Sequence, residues 1–303
     1  MRATAADQVG PQPDPGPVAL SPSRTGTVGV IVTDLGNPFI APVVRGAENE
    51  LSGRGMMVFV TETQDSNERL EAICNHLVTR RVDALIVTAA RDGNHAILEK
   101  TAQQLPIVLA VRGPDDSELP AVLHDDAEGG RLALEHLADL GHRSVAQLHG
   151  PPDMSSFRRR AIGFRTAAGA VGIEVVDVDD AVRLPTVGEG WRSMTRLLTE
   201  RRDDRPTAVF AHNDTMALGA IAAMREAGLR CPEDIAVIGY NDSPLTAYTA
   251  PPLTTIRLPA YELGRLAAGL AVSLFEGHGE EGGPAPLLPK LVVRGSTAPP
   301  PHG

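Results

Sequence analysis

From Thr27 onward the chain alternates short apolar runs with longer stretches that repeat their apolar positions every three or four residues. The runs, rich in β-branched residues, fall at about 27–33, 57–61, 83–88, 106–111, 144–148, 207–211 and 235–239 and predict buried strands. Between them Phe39–Leu51, Glu68–Val78, Gly129–Leu140, Arg158–Ala170 and Thr215–Ala227 carry helical periodicity. Strands alternating with helices predict βαβ units, whose right-handed crossovers put helices on both faces of a parallel sheet. The strand signal restarts near 144, after four strands and an extra extended piece, AVLHDD, at 121–126. This predicts an α/β protein of two doubly wound parallel-sheet lobes with a cleft between them. PPLTTIRLP (251–259) reads as a strand crossing between lobes, followed by a helix over Ala260–Phe275, a polar loop at 277–289 and a last strand in LVVRGST (291–297). The expected division is 26–124 plus 259–287 for the N-terminal lobe and 125–258 plus 288–298 for the C-terminal lobe, with 299–303 as a tail.

Composition narrows the function classes. A chain of 303 residues can bury two cores, and a formal net charge of −10 argues against a broadly basic nucleic-acid surface. Aromatic residues make up 3%, too few for a platform that stacks single-stranded bases. Cys74 and Cys231 are far apart and in no CxxC arrangement, so neither a disulfide framework nor a zinc site is expected. Residues 1–25 hold Pro11, Pro13, Pro15, Pro17 and Pro22 and predict a disordered linker. That stretch has no apolar core of a secretory signal, and no segment has the length of a membrane span. The expected location is the cytoplasm, with no membrane partner.

The common catalytic and cofactor motifs are absent. No GxxxxGK[ST] occurs, TDLGNPF replaces a GxGxxG after the first strand, and there is no HExxH or GxSxG. No enzyme, cofactor or metal is therefore expected, and the EGHGEEGG segment reads as a solvated loop. His142 reads as a loop or capping residue, and Asp125-Asp126 as an N-cap. What remains is a set of polar residues at strand ends: Asp34, Asn37, Thr88, Arg112, Asn213-Asp214 and Asn241-Asp242, with Ser156 and Arg160 one helical turn apart and Trp191 after GEG. The carboxyl edges of parallel strands are where open α/β sheets take ligands. Amide, carboxylate, guanidinium and indole groups together suit a polyhydroxylated ring, with hydrogen bonds at its rim and an aromatic plate on its C–H face.

The ordered blocks RTGTVGVIVTDLGNPF, LEHLADLGHRSVAQLHGP, RRRAIGFRTA, AVFAHNDTMALGAIAAMREAGLRCPEDIAVIGYND, PPLTTI and LVVRGSTAPP resemble the effector-binding core of the LacI/GalR family of transcription regulators over about residues 24–298. The resemblance implies a type I periplasmic-binding-protein-like fold, a small-molecule effector (a sugar or related metabolite) in the cleft, a homodimer, and control of operator DNA. By motif it implies effector contacts from Phe39, Ser156, Arg160, Trp191, Asn213 and Asn241, supported by Asn37, Thr88, Asp125, Asp214 and Asp242. Three positions depart from the family pattern: Asn241 stands where the first of two Asp is common, Val111 where Asp often precedes Arg112, and Leu258 where Gln is frequent. RATAADQVGPQPDP resembles the end of the family's DNA-binding domain, without the helices that read the groove. Operator DNA is thus an expected partner only if a helix-turn-helix stands upstream; such a domain is lost, truncated or outside the stated start. A transporter's solute-binding protein is the alternative reading.

Overall fold

The computed structural model of the protein describes residues 24–178, 182–278 and 283–301. The expected linker over 1–25 therefore lies almost wholly outside the described residues. Strands β1 (Thr27–Val32), β2 (Met57–Glu62), β3 (Ala84–Val87), β4 (Ile107–Val111) and β5 (Ala121–Leu123) form one parallel sheet in the order β2-β1-β3-β4-β5. β1, β3 and β4 are covered on both faces, so their sequences are unbroken apolar runs; β2, at the edge, alternates and leaves Met57 and Phe59 exposed. Strands β6 (Ser144–Leu148), β7 (Glu174–Val178), β8 (Ala208–Ala211), β9 (Ala236–Asn241), β10 (Thr254–Arg257) and β11 (Lys290–Val292) form the second sheet, in the order β11-β10-β9-β8-β6-β7. Its strand pairs run parallel except for the antiparallel β10–β11 pair.

Two lobes of doubly wound α/β type are thus present, with differences in detail. β7 was not among the apolar runs because EVVDV is an edge strand whose polar residues face outward. Within 251–259 the strand is Thr254–Arg257, and it belongs to the second sheet, so the chain leaves that sheet only after Arg257. The last strand ends at Val292; beyond it Ser296 enters by side chain, accepting from the Thr254 amide (2.8 Å) and donating to the Val237 carbonyl (2.6 Å). His142 does more than cap: it is buried, with Nδ1 on the Thr207 hydroxyl (2.8 Å) and Nε2 on the Ala298 carbonyl (3.0 Å).

Three helix pairs cover the sheets, and each crosses on glycine. They are α1 (Ile40–Ser52) with α8 (Ala260–Phe275), α4 (Asp126–Asp139) with α5 (Ser155–Val171), and α6 (Val187–Glu200) with α7 (Asp214–Glu226). A Cβ on Gly163 of α5 would run into the Ala127 carbonyl of α4, and one on Gly130 into the Arg160 carbonyl of α5. The same reciprocal arrangement joins Gly46 with Gly264 and Gly190 with Gly219. Glycine costs helix stability of about 1 kcal/mol relative to Ala, and here it permits backbone contact that sets the axis of the partner helix. Helices α2 (Asn67–Thr79) and α3 (His95–Ala102) pack on the other face of the first sheet.

Candidate functional site

Strand order reverses beside β1 in the first sheet and beside β6 in the second, and ligands settle outside the carboxyl ends of strands at such points. A cavity of about 230 Å³ lies there, between the two sheets. The first lobe contributes Thr33, Asp34, Asn37, Phe39, Asp65, Thr88, Val111 and Arg112; the second contributes Ser156, Phe157, Arg160, Asn213 and Asn241, with the apolar wall Leu184, Pro185 and Val187. The volume falls below the range of drug-sized sites and suits a small metabolite.

Arg160 is the best-held side chain of the cavity. Its Nε donates to Asp126 Oδ1 (2.8 Å) and its Nη1 to the His212 carbonyl (2.6 Å). The guanidinium carbon lies 3.8 Å from the Tyr240 ring centroid and 4.7 Å from that of Phe157. Asp126 is buried and also accepts from the Tyr240 hydroxyl (2.9 Å). Burial pushes the Asp126 carboxyl up, against the pull of Arg160 and Tyr240, and drives the Tyr240 hydroxyl well above its ordinary value. A paired, desolvated charge of this kind is costly to leave half-made. Burial, helped by His149 and Arg160, likewise holds His212 neutral.

The other expected residues divide clearly. Phe39, Asn37, Thr88, Ser156, Arg160, Asn213 and Asn241 come together around the cavity. Asn213 is at the same time the N-cap of α7, its Oδ1 accepting from the Met216 amide (2.8 Å) and its Nδ2 donating to the Pro185 carbonyl (2.9 Å). Asn37 turns its Oδ1 onto the Phe39 amide (3.1 Å). Asp125, Asp214 and Asp242 brace the site from outside. Asp125 caps α4 through the Glu128 amide (2.9 Å). Asp214 takes the Ser243 amide (2.7 Å) and the Thr255 hydroxyl (2.6 Å), and burial raises its carboxyl to about 6. Asp242 stays low: burial opposes ionisation, but hydrogen bonds from Arg257 and Arg294 (2.6 Å each) outweigh it.

Trp191 is the exception. It does not line the cavity; it stands exposed on the outer face of α6, its Nε1 donating to Glu226 Oε2 (3.0 Å). Asn213 opens α7 at the cavity, whereas Glu226 closes that helix about 18 Å farther along its axis. The physical reason is α6 itself, which the glycines of GEG concealed. Val187 faces the cavity, Gly190 packs on α7, and Trp191 is one turn too far from the cleft. Phe157, Leu184 and Pro185 supply the apolar wall instead. Sequence reasoning placed Arg112 among the strand-end polar residues but not among the effector contacts, and read Asp126 as part of a cap although it is the partner of Arg160. The signal for Asp126 was its adjacency to Asp125: once one of the pair caps the helix, the other lies in its first turn.

Across the mouth of the cleft the lobes meet through ion pairs: Arg91 with Asp153 (2.8 Å), Arg158 with Asp92 (2.5 Å), and Arg158 and Arg159 with Asp115 (2.6 and 2.7 Å). Among the described residues no group of three or more His, Cys, Asp or Glu is placed to hold a metal ion. No helix among them is long and apolar enough to cross a membrane.

Comparison with known proteins decides the family. The periplasmic binding protein-like domain family matches residues 134–297. The HTH-type transcriptional repressor PurR of Aliivibrio fischeri is 33% identical over 290 residues, spanning 92% of this chain and 83% of that protein. The chain belongs to the LacI family of transcriptional regulators. A solved complex of the transcriptional regulator CelR with cellobiose superposes with a TM-score of 0.81 at 31% identity, covering 90% of this chain and 85% of that one. A dimeric Lac repressor with an 11-residue C-terminal deletion gives 0.81 at 28% identity, covering 90% and 99%. The curated relatives are transcriptional repressors, which favours a LacI-type regulator over a transporter's binding protein. Within this LacI-family core, Asn241 and Val111 both have positive φ (114° and 71°) at the cavity edge.

Proposed function

We propose that the cavity is the effector site of a repressor core, and that a small polar metabolite bound there shifts the relative arrangement of the two lobes. The observation that carries this is Arg160: a guanidinium clamped by Asp126, the His212 carbonyl and two aromatic rings, at the wall of an inter-lobe cavity. Phe39, Ser156, Asn213 and Asn241 complete the contacts in this reading, with Asn37 and Thr88 supporting. The lobe boundaries follow sheet membership, with 26–124 plus 259–287 and 125–258 plus 288–298 moving as two bodies. Ligand biases the arrangement only by binding one form better than the other. In a homodimer, as in the dimeric Lac repressor, that change alters the spacing of attached DNA readers. The chain acts as a sensor and not as an enzyme, in the cytoplasm where operator DNA is found. The cellobiose bound to CelR and the ribose in a LacI-family regulator of Enterococcus faecium support a sugar or related metabolite as effector class.

Calorimetry against sugars and related metabolites tests the reading, with Arg160→Ala as the control. Loss of a buried, hydrogen-bonded cation should weaken binding by at least about 30-fold. Equal affinity in the variant removes Arg160 from the site; no binder of any kind removes the site.

A further inference from the structure

From the first lobe the cavity takes a second arginine, one whose donors are not all paired. Arg112 follows β4 and is 7% exposed. Its Nη2 donates to Asp65 Oδ1 (3.2 Å), its Nη1 abuts the thioether of Met154, and its Nε is buried with no hydrogen-bond partner among the described residues. A thioether sulfur is a weak acceptor. Asp65 is not Arg112's alone, because the same Oδ1 faces Arg91 Nη1 (3.4 Å). Burial, only partly offset by Asp65, pushes Arg112 down to about 10.

The neighbour on that side is equally short of acceptors. Met154 is the N-cap residue of α5, and no side chain caps that helix. Ser155 turns its hydroxyl away, onto the Gly113 carbonyl (2.7 Å), while Ser156 lines the cavity. The first amides of a helix, with its dipole behind them, favour an anion. Several acceptor atoms nearby already hold a donor. Asn213 Oδ1 serves the Met216 amide and the Thr215 hydroxyl, Asp34 Oδ1 takes the Gly36 amide, and Val111 and Asn241 bring no carboxylate. A neutral polyol needs acceptors for its hydroxyl protons as well as donors; an oxyanion needs donors only.

We infer that the effector carries an oxyanion, a carboxylate or a phosphate, that docks between the Arg112 guanidinium and the N-terminus of α5. The inference rests on the cavity being the effector site, and adds the chemical class of what fills it. Arg112 then selects the acidic ligand, whereas Arg160 holds its polar body.

The test uses the whole chain and two simple anions, acetate and inorganic phosphate, as probes in thermal denaturation, with sodium chloride at equal ionic strength as reference. Acetate or phosphate should raise Tm above the chloride reference in the native protein, the stronger of the two naming the group. Arg112→Gln should remove that increment, and Arg112→Lys, which keeps charge but not the fork, should restore part of it. No increment over chloride, or one that survives in Arg112→Gln, overturns the inference. In parallel, small molecules retained from a bacterial metabolite extract are identified by mass spectrometry. An acidic molecule whose retention falls at least tenfold in Arg112→Gln supports the assignment. A neutral molecule held equally by that variant but lost in Arg160→Ala overturns it while leaving the effector site intact. Retention of nothing by the native protein counts against the site itself and so against both.

Discussion

The two arginines that line the cavity are opposite cases of the same residue. Arg160, from α5, has a carboxylate of its own, a carbonyl, and an aromatic ring on each side. Arg112, from the end of β4, shares one carboxylate with Arg91, rests on a thioether and leaves Nε unsatisfied. The first is compensated by the fold and is presented ready-oriented. The second is desolvated without full compensation, and a buried donor left unmade costs about 1–3 kcal/mol. In our inference a ligand oxyanion supplies the second guanidinium with the acceptor that the fold leaves short.

The largest break of this comparison is Arg160→Ala. It strands the buried Asp126 carboxylate and should lower stability by about 3–5 kcal/mol, read by urea denaturation. A loss under 1 kcal/mol would mean that Asp126 is not held by Arg160.

His124 tests the field around Arg160. Both its ring nitrogens are buried without a hydrogen-bond partner among the described residues, beside Phe39, and burial with help from Arg160 lowers it to about 3. Its folded value lies below its unfolded value, so its share of stability is full above about 6.5 and is lost as pH falls toward about 3. His124→Leu should therefore flatten stability against pH over that window and add about 1–3 kcal/mol near pH 5. An unchanged acid transition contradicts this.

Asp65→Asn sharpens the Arg112 side. Asp65 has φ of 56°, which Asn tolerates. With the shared carboxylate removed, Arg112 should bind acetate or phosphate several-fold more tightly at a stability cost of about 1 kcal/mol. Weaker anion binding in this variant would show that Asp65 positions Arg112 more than it neutralises it. The smallest effect belongs to Trp191→Ala. Its place on the outer face of α6, away from the cavity, predicts unchanged ligand affinity, which calorimetry checks.

Much of this cavity could be read before folding because strand-end chemistry is local. The apolar runs end where Thr88, Arg112, Asn213 and Asn241 begin, and parallel pairing carries all such ends to one edge. Trp191 failed because its placement depends on helical phase inside α6, and glycine at 188 and 190 hid that helix from propensity reasoning. Those glycines are informative only once α7 is beside them. β7 was hidden for a related reason: an edge strand is amphipathic, and its apolar run is broken.

By itself the sequence determined the two-lobed α/β architecture, the family, and the set of polar side chains at the sheet edges, since periodicity and ordered motifs are properties of the chain alone. Tertiary structure decided how the charges are shared. Asp126 is 34 residues from Arg160, and Asp65 is 47 from Arg112. Whether a guanidinium ends with one carboxylate, half of one or a sulfur atom depends on burial and on distances across the two lobes. Desolvation acts on neighbours in space, and no spacing along the chain encodes it.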